Sequence, residues 1–219
     1  MSLFIDPKDQ KILFPPRPKS RVNPTAIKTY MRRGYIGQRK FNGTHVVVNV
    51  TPERKVGILT RHGDSPKQFS LSVSHAKQIL SLNLESGLEY WLQGELLNNK
   101  TTNPNYKGKI VFFDVLQAGR YLYGDPPLMK RIEMLANICR NPTELEPYHG
   151  IALATTKDIW MAETFTRNLV ERYKEMIQYD EIEGLVLKKP KSCLDNFGQK
   201  EYDVNWMLRC RKPNKLYQF

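Results

Sequence analysis

Lys40 stands in the string Gly37-Gln-Arg-Lys-Phe-Asn-Gly-Thr-His45, just before a glycine-containing turn that opens a strand. A lysine amine attacks an electrophile only as the free base, and neighbouring cations or loss of water bring its pKa down toward working pH. Arg39, Arg61 and the basic ends of the chain are the cations the sequence offers for that purpose. Taken alone, Lys-Phe-Asn-Gly fits a solvated hairpin lysine better than a nucleophile. Glu95 and Glu183 each break an otherwise apolar run, LQGELL and IEGLVLKK. By themselves they read as strand-end carboxylates facing water. Arg209 and Arg211 alternate and so share one face of a strand, an arrangement suited to an anion. His45, His62, His75 and His149 show no ligand spacing and read as structural or surface residues.

Such residues act only if the fold gathers them, and composition bounds that fold. The chain has 219 residues, with 34 Lys+Arg against 22 Asp+Glu and a net charge of +12. Residues 1–40 carry ten basic and two acidic side chains and residues 188–219 carry eight and three, so the middle of the chain is left at −1. A polyanion is the first partner to consider for so cationic a chain. With 40% hydrophobic and 26% charged residues the chain belongs with globular proteins, which excludes wholesale disorder and collagen-like or coiled-coil builds. No apolar run is long enough to span a bilayer, and MSLFIDPKDQ lacks the layout of a secretory signal. Three cysteines, Cys139, Cys193 and Cys210, form no metal-ligand pattern. Free thiols in a reducing intracellular setting, cytoplasmic or nuclear and not secreted, are the expectation.

Strand signals dominate the order of elements. HVVVNV (45–50) and KVGILTR (55–61), joined by TPER, read as a hairpin; YWLQGELL (90–97), KIVFFDVL (109–116), IEGLVLK (182–188) and VNWMLRCR (204–211) read as further strands. LFPPRPKSRVNP (13–24) reads as an extended or turning lead. In 126–139, Leu128, Ile132, Leu135 and Cys139 fall on one helical face, and Phe165, Leu169, Tyr173 and Met176 do so in a helix expected over 160–178. Strands outnumber helices without regular alternation, so α+β with antiparallel or mixed sheets fits better than a doubly wound parallel sheet. No glycine-rich phosphate loop is present to favour the latter.

Ordered along the chain, these segments resemble the covalent nucleotidyltransferases, and among them the ATP-dependent polynucleotide ligases. Lys40-Phe-Asn-Gly43 resembles their KxDG nucleophile motif, and Thr60-Arg-His-Gly63 the [ST]RxG motif of DNA ligases. LQGELL with Glu95 resembles the DGEL strand, VFFDVL with Phe113 and Asp114 the FDxL strand, and PPLMKR (126–131) the helix start that follows it. IEGLVLKK with Glu183 and Lys188 resembles EGxVxK, and MLRCRK takes the place of the closing lysine-rich strand. The likeness covers roughly residues 35–212. It implies an α+β, ATP-grasp-like adenylation domain in which two sheets with flanking helices frame an ATP cleft.

The same resemblance implies a role for each residue. Lys40 would attack the α-phosphorus of ATP, expel pyrophosphate and carry AMP. The AMP would pass to a nucleic-acid 5′-phosphate, and a 3′-hydroxyl would displace it to seal the strand, chemistry that depends on positioning and on cations that absorb charge. Glu95 and Glu183 would hold Mg²⁺ or Mn²⁺. Arg39 and Arg61 would meet the nucleotide, Lys188, Arg209 and Arg211 would grip its α-phosphate, and Phe113 would stack on adenine while Phe112 packs in the core. Gln38 takes the place of the glutamate that reads the purine edge. Arg32, Arg33, Lys212 and Lys215 are left for a nucleic-acid backbone.

Three departures accompany the likeness. Asn42 replaces the motif aspartate and His45 the arginine of DNA ligases, so KFNGTH has some flavour of RNA ligases. Arg209 and Arg211 replace lysines, which keeps charge and moves contacts. With the chain ending at Phe219, the expectation is that it lacks the OB-fold domain that follows in most relatives. The expectation is a monomeric adenylation domain over 1–219 that seals nicks in duplex DNA, as in repair or replication, with any OB-fold domain supplied by a partner. RNA ligation is the nearest rival, ahead of mRNA capping. A catalytically reduced nucleic-acid-binding module is the rival from another class.

Overall fold

The computed structural model describes residues 2–98, 101, 103–140, 143–144 and 152–213. In chain order, β1 (Pro16–Arg21) leads through a 3₁₀ turn into α1 (Ile27–Arg32). Then follow β2 (Ile36–Phe41), β3 (Thr44–Val50), β4 (Val56–Thr60), α2 (Val73–Leu80), β5 (Tyr90–Leu96), β6 (Ile110–Ala118), β7 (Arg120–Tyr121) and α3 (Leu128–Ile138). The second half comprises β8 (Thr143–Glu144), β9 (Leu153–Ala154), β10 (Ile159–Met161), β11 (Thr164–Phe165), α4 (Leu169–Met176), β12 (Ile182–Lys188) and β13 (Tyr202–Arg211).

Two mixed sheets result. One runs β4-β3-β5-β6-β10-β9-β8 with β7 beside β6, and the other β1-β13-β12-β2-β11. The parallel pairs are β6 with β10 and β1 with β13. The expectation of α+β architecture with mixed sheets therefore holds. The hairpin at β3 and β4 pairs Val46 with Thr60 through Val50 with Val56, and β-branched Val46, Val47 and Val48 are buried.

Two apolar clusters form, each drawing on strands of both sheets. α2 and α3 cover the larger sheet with Ala76, Ile79, Leu128, Ile132 and Leu135, while α1 and α4 cover the smaller with Ile27, Leu169 and Tyr173. Pro127 caps α3 in extended conformation, as expected of prolines at a helix start.

Two segments differ from their expected form. The helix expected over 160–178 is only Leu169–Met176, because Ile159–Met161 pairs with Ile110–Phe112 and Thr164–Phe165 with Gly37–Gln38. The apolar stripe is buried all the same, since strand burial of Phe165 imitates a helical period over so short a stretch. The proline-rich lead becomes β1, an edge strand, where a missing N–H is tolerated.

Between the sheets lies a buried ion pair. Arg131 of α3 donates through Nε to Asp114 Oδ1 at 2.9 Å and through Nη2 to Oδ2 at 3.0 Å, and neither side chain is more than 1% exposed. Its Nη1 reaches Pro126 O at 3.1 Å and Ser192 O at 3.3 Å, and its guanidinium lies 5.8 Å from the Trp206 ring. Removing one member of a buried pair leaves the other charge uncompensated, at about 3–5 kcal/mol. Arg131→Met is expected to lower unfolding free energy by that order in urea titration. Asp114→Leu with Arg131→Met should recover part of it, and a single-variant loss below about 1 kcal/mol would contradict the assignment.

Candidate active site

Lys40 lies on β2, flanked by β12 on one side and β11 on the other. The strand was not apparent from its sequence, since Gly-Gln-Arg-Lys has little β character. Pairing supplies what propensity lacks: Lys40 stands opposite Gly184 and Gln38 opposite Val186.

Two glycines let the backbone pass close at the motifs, Gly43 in the turn after β2 and Gly184 at an irregularity in β12. A Cβ on Gly43 would lie 2.4 Å from Leu96 O, and its N–H donates to Glu95 Oε1 at 3.1 Å. Gly184 has φ +138°, and a Cβ there would stand 2.0 Å from Cys210 O. The backbone thus comes close beside both glutamates.

The sheets frame a cleft of about 890 Å³. All ten nucleotide-site residues named from the sequence line it: Gln38, Arg39, Lys40, Arg61, Glu95, Phe113, Glu183, Lys188, Arg209 and Arg211. Lys40 Nζ donates to Glu183 Oε2 at 2.5 Å, and Arg211 Nε approaches the same oxygen at 3.1 Å. Arg39 Nη1 pairs with Glu163 Oε2 at 2.9 Å and lies over the Phe165 ring, so it braces the wall beside the lysine. Phe113 is gripped from two directions: His45 meets it edge-on at 5.5 Å and Lys188 Nζ lies 5.0 Å from its centroid. Phe112, by contrast, is fully buried.

Gln38 is buried, and its Nε2 donates to Thr164 Oγ1 at 2.9 Å and Phe113 O at 3.3 Å. Those partners orient the amide and leave Oε1 buried without a protein partner. An acceptor of this kind calls for a donor on a ligand. Arg209 Nε is likewise buried and unpartnered.

The electrostatics point to an anion. Eight basic side chains line the cleft against four acidic ones. Burial, then Arg21, Arg211 and Arg61, lower the pKa of Arg209. Burial is also the main force lowering Lys188 to about 8; Asp114 works in the opposite direction, and Arg131 adds to the lowering. Burial, with Arg61, Lys40 and Lys188 nearby, lowers His45 to about 3, so its imidazole is uncharged at any working pH. Its Nε2 lies 2.9 Å from Gln93 Nε2.

His45 and His62 both line the cleft, His62 with an exposed side chain. The signal available for His45 was its place in the KFNGTH string; His62 carried none. His149 lies outside the described residues, as does Lys215. Arg32 and Arg33 are exposed at the end of α1 and do not line the cleft. Lys212 Nζ donates to Tyr179 O at 3.0 Å and Ile177 O at 3.4 Å, capping the end of α4.

Glu95 and Glu183 offer hard oxygens, but no group of three His, Cys, Asp or Glu side chains suited to a metal occurs among the described residues. This donor set fits a Mg²⁺ or Mn²⁺ ion carried largely by ligand phosphates better than one caged by protein.

No protein-family model matches the sequence, and no curated protein matches it. Solved structures do resemble the fold. A mycobacterial DNA ligase D complexed with ATP superposes with a TM-score of 0.63 at 13% identity, over 92% of this chain and 61% of that one. The ATP-dependent DNA ligase of bacteriophage T7, in complex with ATP, gives 0.56 at 15% identity over 91% and 68%. A Lig E DNA ligase, described as binding DNA with a minimal scaffold, gives 0.52 at 11% identity over 90% and 69%. The chain thus has the fold of ATP-dependent ligase nucleotidyltransferase domains and spans about three-fifths of the mycobacterial chain.

Lys188 makes anion binding sensitive to pH. Its folded pKa lies below the unfolded value, so its burial costs stability below about pH 8, and that cost fades as pH rises toward 10.5. A bound anion favours the charged form. Affinity for inorganic triphosphate, measured by calorimetry, is therefore expected to fall as pH rises through about 8. In Lys188→Met that step should disappear; an unchanged profile would show that Lys188 does not face the anion.

Proposed function

We propose that this chain is an ATP-dependent polynucleotide ligase domain that works through a lysyl-AMP intermediate on Lys40 and seals nicks in duplex DNA. The observation that carries the reading is the convergence on one cleft of ten residues dispersed from position 38 to position 211, with the Lys40 amine against Glu183 and Arg211.

The chain's own groups suit each demand of the first step. Lys40 Nζ, as the free amine, forms a bond to the α-phosphorus, the bond to the bridging oxygen breaks so that pyrophosphate leaves with the electron pair, and the proton released from the nitrogen passes to water. Arg61, Arg209, Arg211 and Lys188 supply charge for the phosphates. While Glu183 accepts from Lys40 it holds the amine in place. A divalent cation on the phosphates, held by Glu95 and Glu183, would add Lewis-acid polarisation. Phe113 offers its ring to the base. Gln38 Oε1 offers an acceptor, which suits the 6-amino group of adenine and opposes the 6-oxo group of guanine. Arg32 and Arg33 remain for a phosphate backbone.

Incubation with α-labelled ATP and Mg²⁺ or Mn²⁺ is expected to leave a labelled band after denaturation, absent in Lys40→Ala. Label from α-labelled GTP should be weaker by roughly 10-fold or more, because the wrong edge leaves the Gln38 acceptor buried and unpaired. No label with either metal at any pH would sink the enzyme reading and leave a nucleic-acid-binding module. Comparison of sealing on nicked DNA and on nicked RNA separates substrates. Preference for RNA ends, which KFNGTH favours, would replace the DNA reading.

A further inference from the structure

A second charged assembly lies at the mouth of the cleft. Arg61 and His62 follow β4 in the larger sheet, whereas Glu201 stands just before β13 and Arg17 on β1 in the smaller one. Arg61 Nε donates to His62 Nε2 at 3.1 Å. Because that nitrogen accepts, the imidazole proton belongs on Nδ1, which donates to Glu201 Oε1. The other Glu201 oxygen accepts from Arg17 Nη1, and Arg17 Nε donates to Asp203 Oδ1 at 3.1 Å. One unbroken run of hydrogen bonds therefore crosses from sheet to sheet. The Arg61 backbone is already fixed, its N–H donating to His45 O at 3.1 Å. The direction of its side chain is the freedom that remains.

We infer that His62 and Glu201 are positioning residues: with Arg17 they form a strut across the cleft mouth that orients the Arg61 guanidinium for the nucleotide before the nucleotide arrives. This rests on the adenylation reading. The strut uses Arg61 Nε and leaves the two terminal Nη groups, the pair best shaped for bidentate contact with phosphate. A side chain held in its bound orientation loses less freedom on binding, so the gain appears in affinity. Fold stability has less to do with it. The side chains of His62, Glu201 and Arg17 are 47%, 34% and 26% exposed, and ion pairs so open to water contribute little. Hydrogen bonding from His62, with Arg17 beside it, keeps the Glu201 carboxyl below its usual range and so reliably charged. No local pattern signals the arrangement, because 139 positions separate His62 from Glu201.

The test is single-turnover labelling of Lys40 over a range of α-labelled ATP concentrations, with urea unfolding of each variant alongside. His62→Ala and Glu201→Gln are each expected to raise the ATP concentration for half-maximal rate about 5- to 10-fold, the scale of one solvent-accessible hydrogen bond, while the maximal rate stays within about twofold. His62→Gln keeps one acceptor and one donor and should return the half-maximal concentration to within about twofold of wild type. The urea midpoints should not move. Unchanged half-maximal concentrations in both variants would overturn the strut, and so would losses that follow lowered urea midpoints or fall mainly on the maximal rate. Label in the wild-type protein with unaffected variants sinks the strut alone. Absence of label in the wild type sinks the adenylation reading and the strut with it. In the ligand-free protein, the Arg61 Nε–H resonance should exchange slowly with water and lose that protection in His62→Ala. Equal exchange in both would refute the orientation directly.

Discussion

The Asp114–Arg131 pair is the contact on which the cleft depends. Asp114 belongs to β6 and Arg131 to α3, and the guanidinium also holds the carbonyls of Pro126 and Ser192 and lies over Trp206 of β13. One buried cation thus joins the larger sheet, its covering helix, the segment after β12 and a strand of the smaller sheet. Burial works against the charge on Arg131, yet the carboxylate beside it raises the guanidinium pKa overall. A desolvated bidentate pair whose guanidinium also reaches two backbone carbonyls is the geometry in which attraction can offset lost hydration.

The same pair shapes the chemistry on its other side. Phe113 immediately precedes Asp114 and faces the cleft, while Asp114 and Arg131 act on Lys188 with opposite sign. Burial outweighs the Asp114 carboxylate and, with Arg131, brings Lys188 down to about 8. His45 shows the complementary response: among Arg61, Lys40 and Lys188 a buried imidazole stays neutral. The cleft therefore concentrates positive charge without adding a further cation at position 45. Glu183, shared by Lys40 and Arg211, offsets the crowding at its centre.

Much of this was legible in the residues. Strings such as HVVVNV and VFFDVL carry β-branched and aromatic side chains that leave little choice of local structure, and they became β3 and β6. The stripe Leu128, Ile132, Leu135 became the buried face of α3. Weakly patterned segments were less readable. Lys40 lies on a strand because β12 and β11 pair with it, and the apolar run at 159–165 forms strands because β6 and β2 accept it. In both places tertiary hydrogen bonding overrides local preference.

The sequence by itself determined the chemical inventory: a lysine before a tight turn, two carboxylates on apolar strands, an alternating pair of arginines and a cationic surplus at both ends. Residue type and spacing set these directly, because charge, nucleophilicity and side-chain alternation are local properties. Tertiary structure alone decided which groups meet. It set Lys40 against Glu183, 143 positions away, turned Gln38 so that its oxygen has no protein partner, placed His45 and His62 on the cleft wall and gave Lys212 to the end of α4. Those outcomes depend on sheet register and on burial, which involve segments distant in the chain, and no local pattern carries them.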